Sequence, residues 1–133
     1  MPGGSVLQGQ YSAASPPAAT GGTLLDGTYH LVSVTDYTTD GGTGPTGQSH
    51  LQSLTFTAGT VQIVQRRDLQ DGGCSYEHMT GTAVSTGTSP LTFTQTCPQV
   101  QSPSSNGYTQ TSTSFTLYNQ NNGSTRIQVF NKQ

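Results

Sequence analysis

At 133 residues, with a formal net charge of −2 and 8% charged residues, the chain has the length of one domain and no charge excess. Its four Lys and Arg side chains are too few to neutralise several phosphates, which argues against nucleic acids and anionic membrane surfaces as partners. Only 29% of the residues are hydrophobic, so the core must be thin. Frequent Thr, a β-branched residue, favours strands over helix or coil.

Residues 1–23 predict a flexible tether, because Pro, Gly, Ala and Ser dominate them. Met1 and the Pro-Gly-Gly-Ser sequence after it are typical of a mature bacterial lipoprotein whose lipid-bearing first Cys has been replaced. We therefore expect membrane contact only through a lipid anchor. Residues 5–11 form a short strand candidate that can pair with a sheet edge of its own chain or of a second copy. Residues 24–133 form the predicted β domain.

The β domain holds eight strand candidates separated by Gly, Asn, Asp or Pro clusters, and no ten-residue window has the 3.6-residue period of a helix. Each candidate has apolar residues on one face only, since alternate side chains leave a strand on opposite sides. Such strands predict an eight-stranded antiparallel up-and-down barrel, with an open two-sheet sandwich as the alternative. The candidates are residues 28–37, 50–57, 60–67, 74–85, 90–97, 107–113, 114–119 and 124–131.

The two cysteines, Cys74 and Cys97, predict a disulfide. If residues 74–85 and 90–97 form a hairpin, the sulfur atoms lie almost opposite each other, where cross-strand Cβ atoms are about 4.5–5.5 Å apart. Closing this loop would add about 3 kcal/mol of stability. Disulfides persist in oxidising compartments, so we expect an extracellular, periplasmic or outer-envelope location in a bacterium.

The inward faces of the candidate strands predict the lining of a ligand site. A small apolar or amphipathic ligand would lie among these side chains, and the alternative is that they simply fill the interior. The candidate lining residues are Tyr29, Leu31, Leu54, Phe56, Ile63, Tyr76, Phe93, Phe115 and Ile127.

The first strand candidate begins with Gly27-Thr28-Tyr29, which resembles the Gly-x-Trp opening of lipocalins with Tyr in the Trp position. Residues 90–98 also resemble the middle hairpin of the lipocalin-like, calycin-type domains found in small bacterial secreted proteins and lipoproteins. The resemblance covers residues 24–133 and implies a barrel that holds one small ligand. It also implies that Arg126, on the last strand, packs across Tyr29 and closes the barrel.

No residue pattern predicts catalysis. There is no Gly-x-Ser-x-Gly elbow, and His30, His50 and His78 each lie alone on a different strand candidate. Glu77 and His78 are neighbours on one strand, so they point to opposite faces. The Asp residues beside Gly are typical of turns, with loop calcium sites as a weaker alternative. We therefore expect no enzyme activity, metal or cofactor.

The leading hypothesis is a non-enzymatic ligand-binding module, either secreted or anchored at the surface. The Gly-rich segment Thr39 to Ser49 is then expected to lie over the barrel mouth and to carry binding. The alternative is a structural subunit of a cell surface or appendage, assembled when residues 5–11 of one copy complete the sheet of another.

Overall fold

The computed structural model describes residues 4–68, 74–121 and 123–133, except for the side chains of residues 67, 68, 74–76 and 121. The described chain folds into nine strands and no helix, so it has no helix that could cross a membrane. The strands are β1 (Leu7–Ser12), β2 (Gly27–Tyr37), β3 (Gly44–Thr57), β4 (Thr60–Asp68), β5 (Cys74–Val84), β6 (Leu91–Cys97), β7 (Ser104–Gln110), β8 (Ser114–Asn121) and β9 (Ser124–Lys132).

The strands from β2 to β9 form a ring. Each pairs antiparallel with the next, and β9 pairs back with β2 from Tyr29↔Lys132 to Tyr37↔Thr125. The all-β prediction is therefore confirmed. The prediction of eight strands differs from the nine that the single sheet contains, because β1 also joins it.

β1 lies in a gap between β2 and β3. These two strands pair with each other only through residues 27–30 and 53–56. Beyond that point β1 pairs in parallel with residues 35–37 of β2 and antiparallel with residues 44–50 of β3. The strand candidate of the predicted tether is thus part of the chain's own sheet.

The connection from β1 to β2 runs from one end of the ring to the other. Ser12 lies opposite Tyr37, at the end that we call the open end. The strap, residues 13–20, is mostly exposed, and it leads to Gly21, whose N–H donates to the Tyr108 carbonyl at the closed end.

The floor, residues 21–26, lies across the closed end. The Tyr29 hydroxyl donates to the Leu25 carbonyl at 2.8 Å. At the end of the floor remote from Gly21, the N–H of Ala58, in the turn between β3 and β4, donates to Asp26 Oδ1 at 3.1 Å. The ring is therefore tied together across this end.

The segment predicted as a lid is mostly strand. Residues 44–49 belong to β3 and pair with β1 or β4, which leaves only residues 38–43 as a connection at the open end. The Gly- and Pro-rich composition suggested a loop. Pairing with a strand distant in sequence overrides that local preference.

The predicted pairing of the two cysteines is wrong. The β5–β6 hairpin is centred near residue 88, with Val84 opposite Thr92, so Cys97 lies opposite Thr80. Cys74 is six positions further along β5, or about 20 Å, whereas a disulfide needs Cα atoms within about 7 Å. Cys97 is free and exposed, and the side chain of Cys74 lies outside the described residues.

The hydrophobic core fills the ring towards the closed end. Phe115 lies at its centre, with its ring centroid 5.1 Å from that of Phe56 and 6.1 Å from that of Tyr108. The buried members are Tyr29, Leu31, Val34, Leu54, Phe56, Val61, Ala83, Leu91, Tyr108, Phe115 and Phe130.

Candidate functional site: a polar cup at the open end

Most of the side chains predicted to line a ligand site are core residues. The core has an apolar cavity of about 80 Å³, far smaller than the roughly 300–1,000 Å³ of typical ligand pockets. The apolar half of the interior is therefore packed. Tyr29, Leu31, Leu54, Phe56 and Phe115 are buried in the core, Ile63 and Phe93 pack against it, Ile127 is buried outside it, and the side chain of Tyr76 lies outside the described residues.

The face of β9 that points into the ring is the opposite of the one predicted. Ile127 was expected to point inward, yet it lies outside the core cluster although it is buried. Phe130 is completely buried in the core, and Gln128 and Arg126 follow it on the same face towards the open end. Apolar residues occur on both faces of β9, so hydrophobic alternation could not identify the inner one.

Above the core lies an open cavity of about 640 Å³, which we call the polar cup. It belongs to the open end, where β2, β8 and β9 extend beyond the core side chains. Its lining residues are Tyr11, Asp36, Thr38, Gln48, Gln65, Asn119, Ser124, Arg126 and Gln128.

A bidentate ion pair lies in the wall of the cup. Arg126 Nε is 2.7 Å from Asp36 Oδ1, and Arg126 Nη2 is 2.9 Å from Asp36 Oδ2. Arg126 Nη2 also donates to Gln48 Oε1 at 3.4 Å. The hydrogen bond to Asp36 raises the pKa of Arg126, and burial opposes that rise only in part. The guanidinium is therefore always charged, and Asp36 neutralises it.

The predicted contact between Tyr29 and Arg126 does not form. Arg126 lies opposite Asp36 in the β2–β9 pairing, seven positions from Tyr29, which lies opposite Lys132. Tyr29 instead packs edge-on against Phe56 in the core. Arg126 does join β2 to β9, but through a carboxylate at the open end.

A chain of side-chain amides separates the core from the cup. Asn106 Nδ2 donates to Asn119 Oδ1 at 2.6 Å, and Asn119 Nδ2 donates to Gln128 Oε1 at 3.0 Å. Gln128 Nε2 then donates to Gln52 Oε1 at 2.9 Å. This amide chain runs from β7 through β8 and β9 to β3, so it crosses the interior of the ring.

The spacing of these polar residues along their strands is a sequence signal that apolar positions alone do not reveal. Gln52 comes two residues before Leu54, Gln65 two after Ile63, and Asn119 two after Leu117. Each therefore continues the inward face of its strand towards the open end. Gln65 also hydrogen-bonds to Glu77 on β5.

The three histidines do not form a metal site. Within the part of the chain that the structure describes, no group of three or more His, Cys, Asp and Glu side chains could hold a metal ion. His50 is buried on β3 beside β1, and His30 lies on β2.

Comparison with known proteins gives no assignment. No protein-family model matches the chain, and a search of curated proteins finds no significant match.

Proposed function

We propose that the ring of β2 to β9 is a lipocalin-like barrel and that the protein is a non-enzymatic binding module with its ligand site in the polar cup. The observation that carries the proposal is the division of the interior into a packed apolar half and an open polar half. The cup volume of about 640 Å³ falls within the roughly 300–1,000 Å³ of small-molecule sites.

The cup favours a polar or amphipathic ligand over a purely apolar one. The cavity of about 80 Å³ in the core leaves little room for a hydrocarbon chain. A lipid tail would instead have to lie against amides and an ion pair, whose desolvation costs free energy without a compensating hydrogen bond.

The chemistry of the cup fits an uncharged molecule that carries several hydroxyl groups, such as a short saccharide. Each Gln or Asn amide offers two N–H donors and a carbonyl acceptor, and a hydroxyl can both donate and accept. The Arg126–Asp36 pair adds no net charge, and an anion would have to compete with Asp36 for the guanidinium. The partly exposed ring of Tyr11 supplies an apolar surface at the wall.

The same ion pair supports binding without catalysis. Both carboxylate oxygens of Asp36 accept hydrogen bonds from Arg126, so Asp36 is poorly placed to accept a proton from a substrate.

The test is a binding titration of monosaccharides, short oligosaccharides and polyols by calorimetry, with two matched variants. Gln65→Leu changes the cup wall, and Gln62→Leu changes an exposed side chain on the opposite face of the same strand. We expect Gln65→Leu to weaken binding about 5–30-fold, the effect of losing a hydrogen bond worth about 1–2 kcal/mol. Gln62→Leu should bind like the wild type.

Two results would contradict this assignment. One is equal loss of affinity in both variants, which would place the site elsewhere. The other is that no hydroxylated compound binds while a fatty acid binds with a stoichiometry of one, which would restore the apolar carrier hypothesis.

The proposed location is the bacterial cell envelope or the exterior, reached by secretion or by a lipid anchor at the N-terminus. With Cys97 free, this proposal rests on the low charge and on the composition of the first residues rather than on a disulfide. Metabolic labelling of the native gene product with a radioactive fatty acid tests the anchor. Absence of label from the envelope fraction would rule it out.

A further inference from the structure

The gap between β2 and β3 is a slot for one strand. Without β1, residues 35–37 of β2 and residues 44–50 of β3 would present two facing rows of unpaired backbone groups. Such edges bind an added strand through main-chain hydrogen bonds. A chain segment that forms the same bonds and fits between the two strands can fill the slot.

β1 is held in this slot mainly by its backbone. Only Gly9 is buried, Leu7 packs partly against the core, and Gln8, Gln10 and Tyr11 are exposed. The apolar contacts of β1 are those of Leu7 with the core and of Tyr11 with the cup wall. Both are available to β1 in the slot of a second copy.

The slot is selective for its occupant because Gly9 makes a close approach to β3. A Cβ atom at this position would lie 2.7 Å from Thr46 Oγ1 and 3.3 Å from His50 Nε2, both on buried residues of the slot. A strand with a larger residue at this point would have to displace them. The segment Leu7–Ser12 supplies glycine at the required place, so a second copy of this chain fits.

The strap permits the exchange. Residues 13–18 and 20 are exposed, and the strap includes the adjacent Pro16 and Pro17, which favour an extended chain. Among the described residues, the hydrogen bonds that tie the strap to the ring are chiefly those of Thr20 with the Thr109 hydroxyl, near the end of the strap. Moving the strap away from its own ring therefore breaks few contacts.

We propose that two copies of this chain exchange β1 reciprocally, so that each copy's Leu7–Ser12 fills the β2–β3 slot of the other. A reciprocal exchange closes as a two-fold dimer, with no unpaired slot left to extend it. Because Tyr11 lies in the wall of the cup, each cup of the dimer is completed by a residue of the other copy. With the ligand site proposed above, the dimer is a ligand-binding unit as well as an assembly.

Cross-linking of the full chain tests the exchange. Gln8 and Ser49 face each other in the β1–β3 pairing, at the separation that a disulfide can bridge. One chain carries Gln8→Cys and another carries Ser49→Cys, with Cys74→Ser and Cys97→Ser in both. We expect the mixture to form a crossed two-chain disulfide under oxidising conditions, in a yield that rises with protein concentration.

Two further chains make the result decisive. The double variant Gln8→Cys/Ser49→Cys should form the bond within one chain at low concentration. Adding Gly9→Val to the Gln8→Cys chain should abolish the crossed product, since the new side chain cannot enter beside Thr46.

The proposal is overturned if the double variant closes within one chain but the mixture gives no crossed product, even after joint unfolding and refolding at high concentration. It is also overturned if the double variant fails to close, because β1 then does not occupy the slot. Persistence of the crossed product with Gly9→Val would likewise overturn it, as the bond would then come from random collisions.

Discussion

Gln128 on β9 donates a hydrogen bond to Gln52 on β3 across the interior of the ring, between two strands that do not pair with each other. Both side chains are buried, so neither amide can readily exchange this bond for water. The bond closes the ring internally beside the slot that holds β1.

Breaking this bond should destabilise the protein. Gln128→Leu removes the acceptor of Asn119 and the donor to Gln52, and we expect a loss of about 1–3 kcal/mol in the free energy of unfolding. Gln52→Leu should cost less, and the double variant less than the sum of the two. Urea unfolding measures all three, with the exposed Gln62→Leu as control. Strict additivity of the two changes would show that the amides do not interact.

Removing Arg126 alone should lower the free energy of unfolding more than removing both charges of the ion pair. Arg126→Met leaves the Asp36 carboxylate, only 14% exposed, without its cation, and we expect a loss of about 2–4 kcal/mol. Asp36→Asn combined with Arg126→Met should recover part of this loss. Equal stability of the single and double variants would mean that Asp36 does not depend on Arg126.

The pH dependence of this loss follows from the raised pKa of Arg126. A cation whose pKa rises on folding contributes stability below its unfolded pKa, and the contribution falls only as pH rises past that value. The stability difference between the wild type and Arg126→Met should therefore be the same at about pH 6 and about pH 8, since arginine titrates far above this range. A difference that shrinks by pH 8 would contradict this.

Phe115 should be the most sensitive core position. Its ring packs against Tyr29, Phe56, Tyr108 and Phe130. Phe115→Ala should cost about 3–5 kcal/mol and Phe115→Leu less. The alanine variant also enlarges the apolar cavity that Phe115 lines, so benzene should raise its melting temperature and leave that of the wild type unchanged. Val100→Ala, at an exposed position, is the control. A loss of stability in Phe115→Ala no larger than in Val100→Ala would contradict the prediction.

Cys97 should behave as a free surface thiol. We expect it to react with a thiol reagent in the native protein, and Cys97→Ser to change the free energy of unfolding by less than about 0.5 kcal/mol. A thiol that reacts only after reduction, or a loss of about 3 kcal/mol in the variant, would instead indicate a disulfide.

Asp40 provides a second pH test. The Thr38 hydroxyl lies beside its carboxylate outside hydrogen-bond geometry, and the Gly42 N–H donates to Oδ1 at 3.0 Å. These two groups, Thr38 first, lower the pKa of Asp40. The resulting stability is present above the ordinary aspartate pKa and is lost as pH falls through the lowered value. In an NMR titration, Thr38→Val should raise the pKa of Asp40 only part of the way to the ordinary aspartate value, because the hydrogen bond from Gly42 remains. No change in the pKa of Asp40 would show that Thr38 does not lower it.

The sequence predicts several strands well because they have a clear apolar alternation, as with Leu54 and Phe56 on β3 or Phe115 and Leu117 on β8. It fails at the start of β3, where Gly44 and Pro45 suggest a loop and only pairing with β1 makes a strand. It also fails for the cysteines. The centre of the hairpin lies near residue 88, as the predicted turn implies, but Cys74 is further from that centre than Cys97, and the register places only equidistant residues opposite each other.

The polar cup was missed for a different reason. Hydrophobic periodicity treats Gln and Asn as outward residues, whereas Gln52, Asn119 and Gln128 lie on the inner faces. The spacing along a strand can place Gln52 and Asn119 on the inward face, but their hydrogen-bond partners lie on other strands, and no local pattern contains these pairings. The Tyr29–Arg126 expectation failed similarly, because the register between the first and last strands of the ring pairs Arg126 with Asp36.

The closed end of the ring has a practical consequence for handling the protein. Gln133 bonds to the Thr28 carbonyl at the closed end, while Tyr11 and Arg126 border the cup at the other end. A fluorophore, affinity label or solid support attached after Gln133 therefore points away from the entrance, so that immobilised molecules present their cups to dissolved compounds.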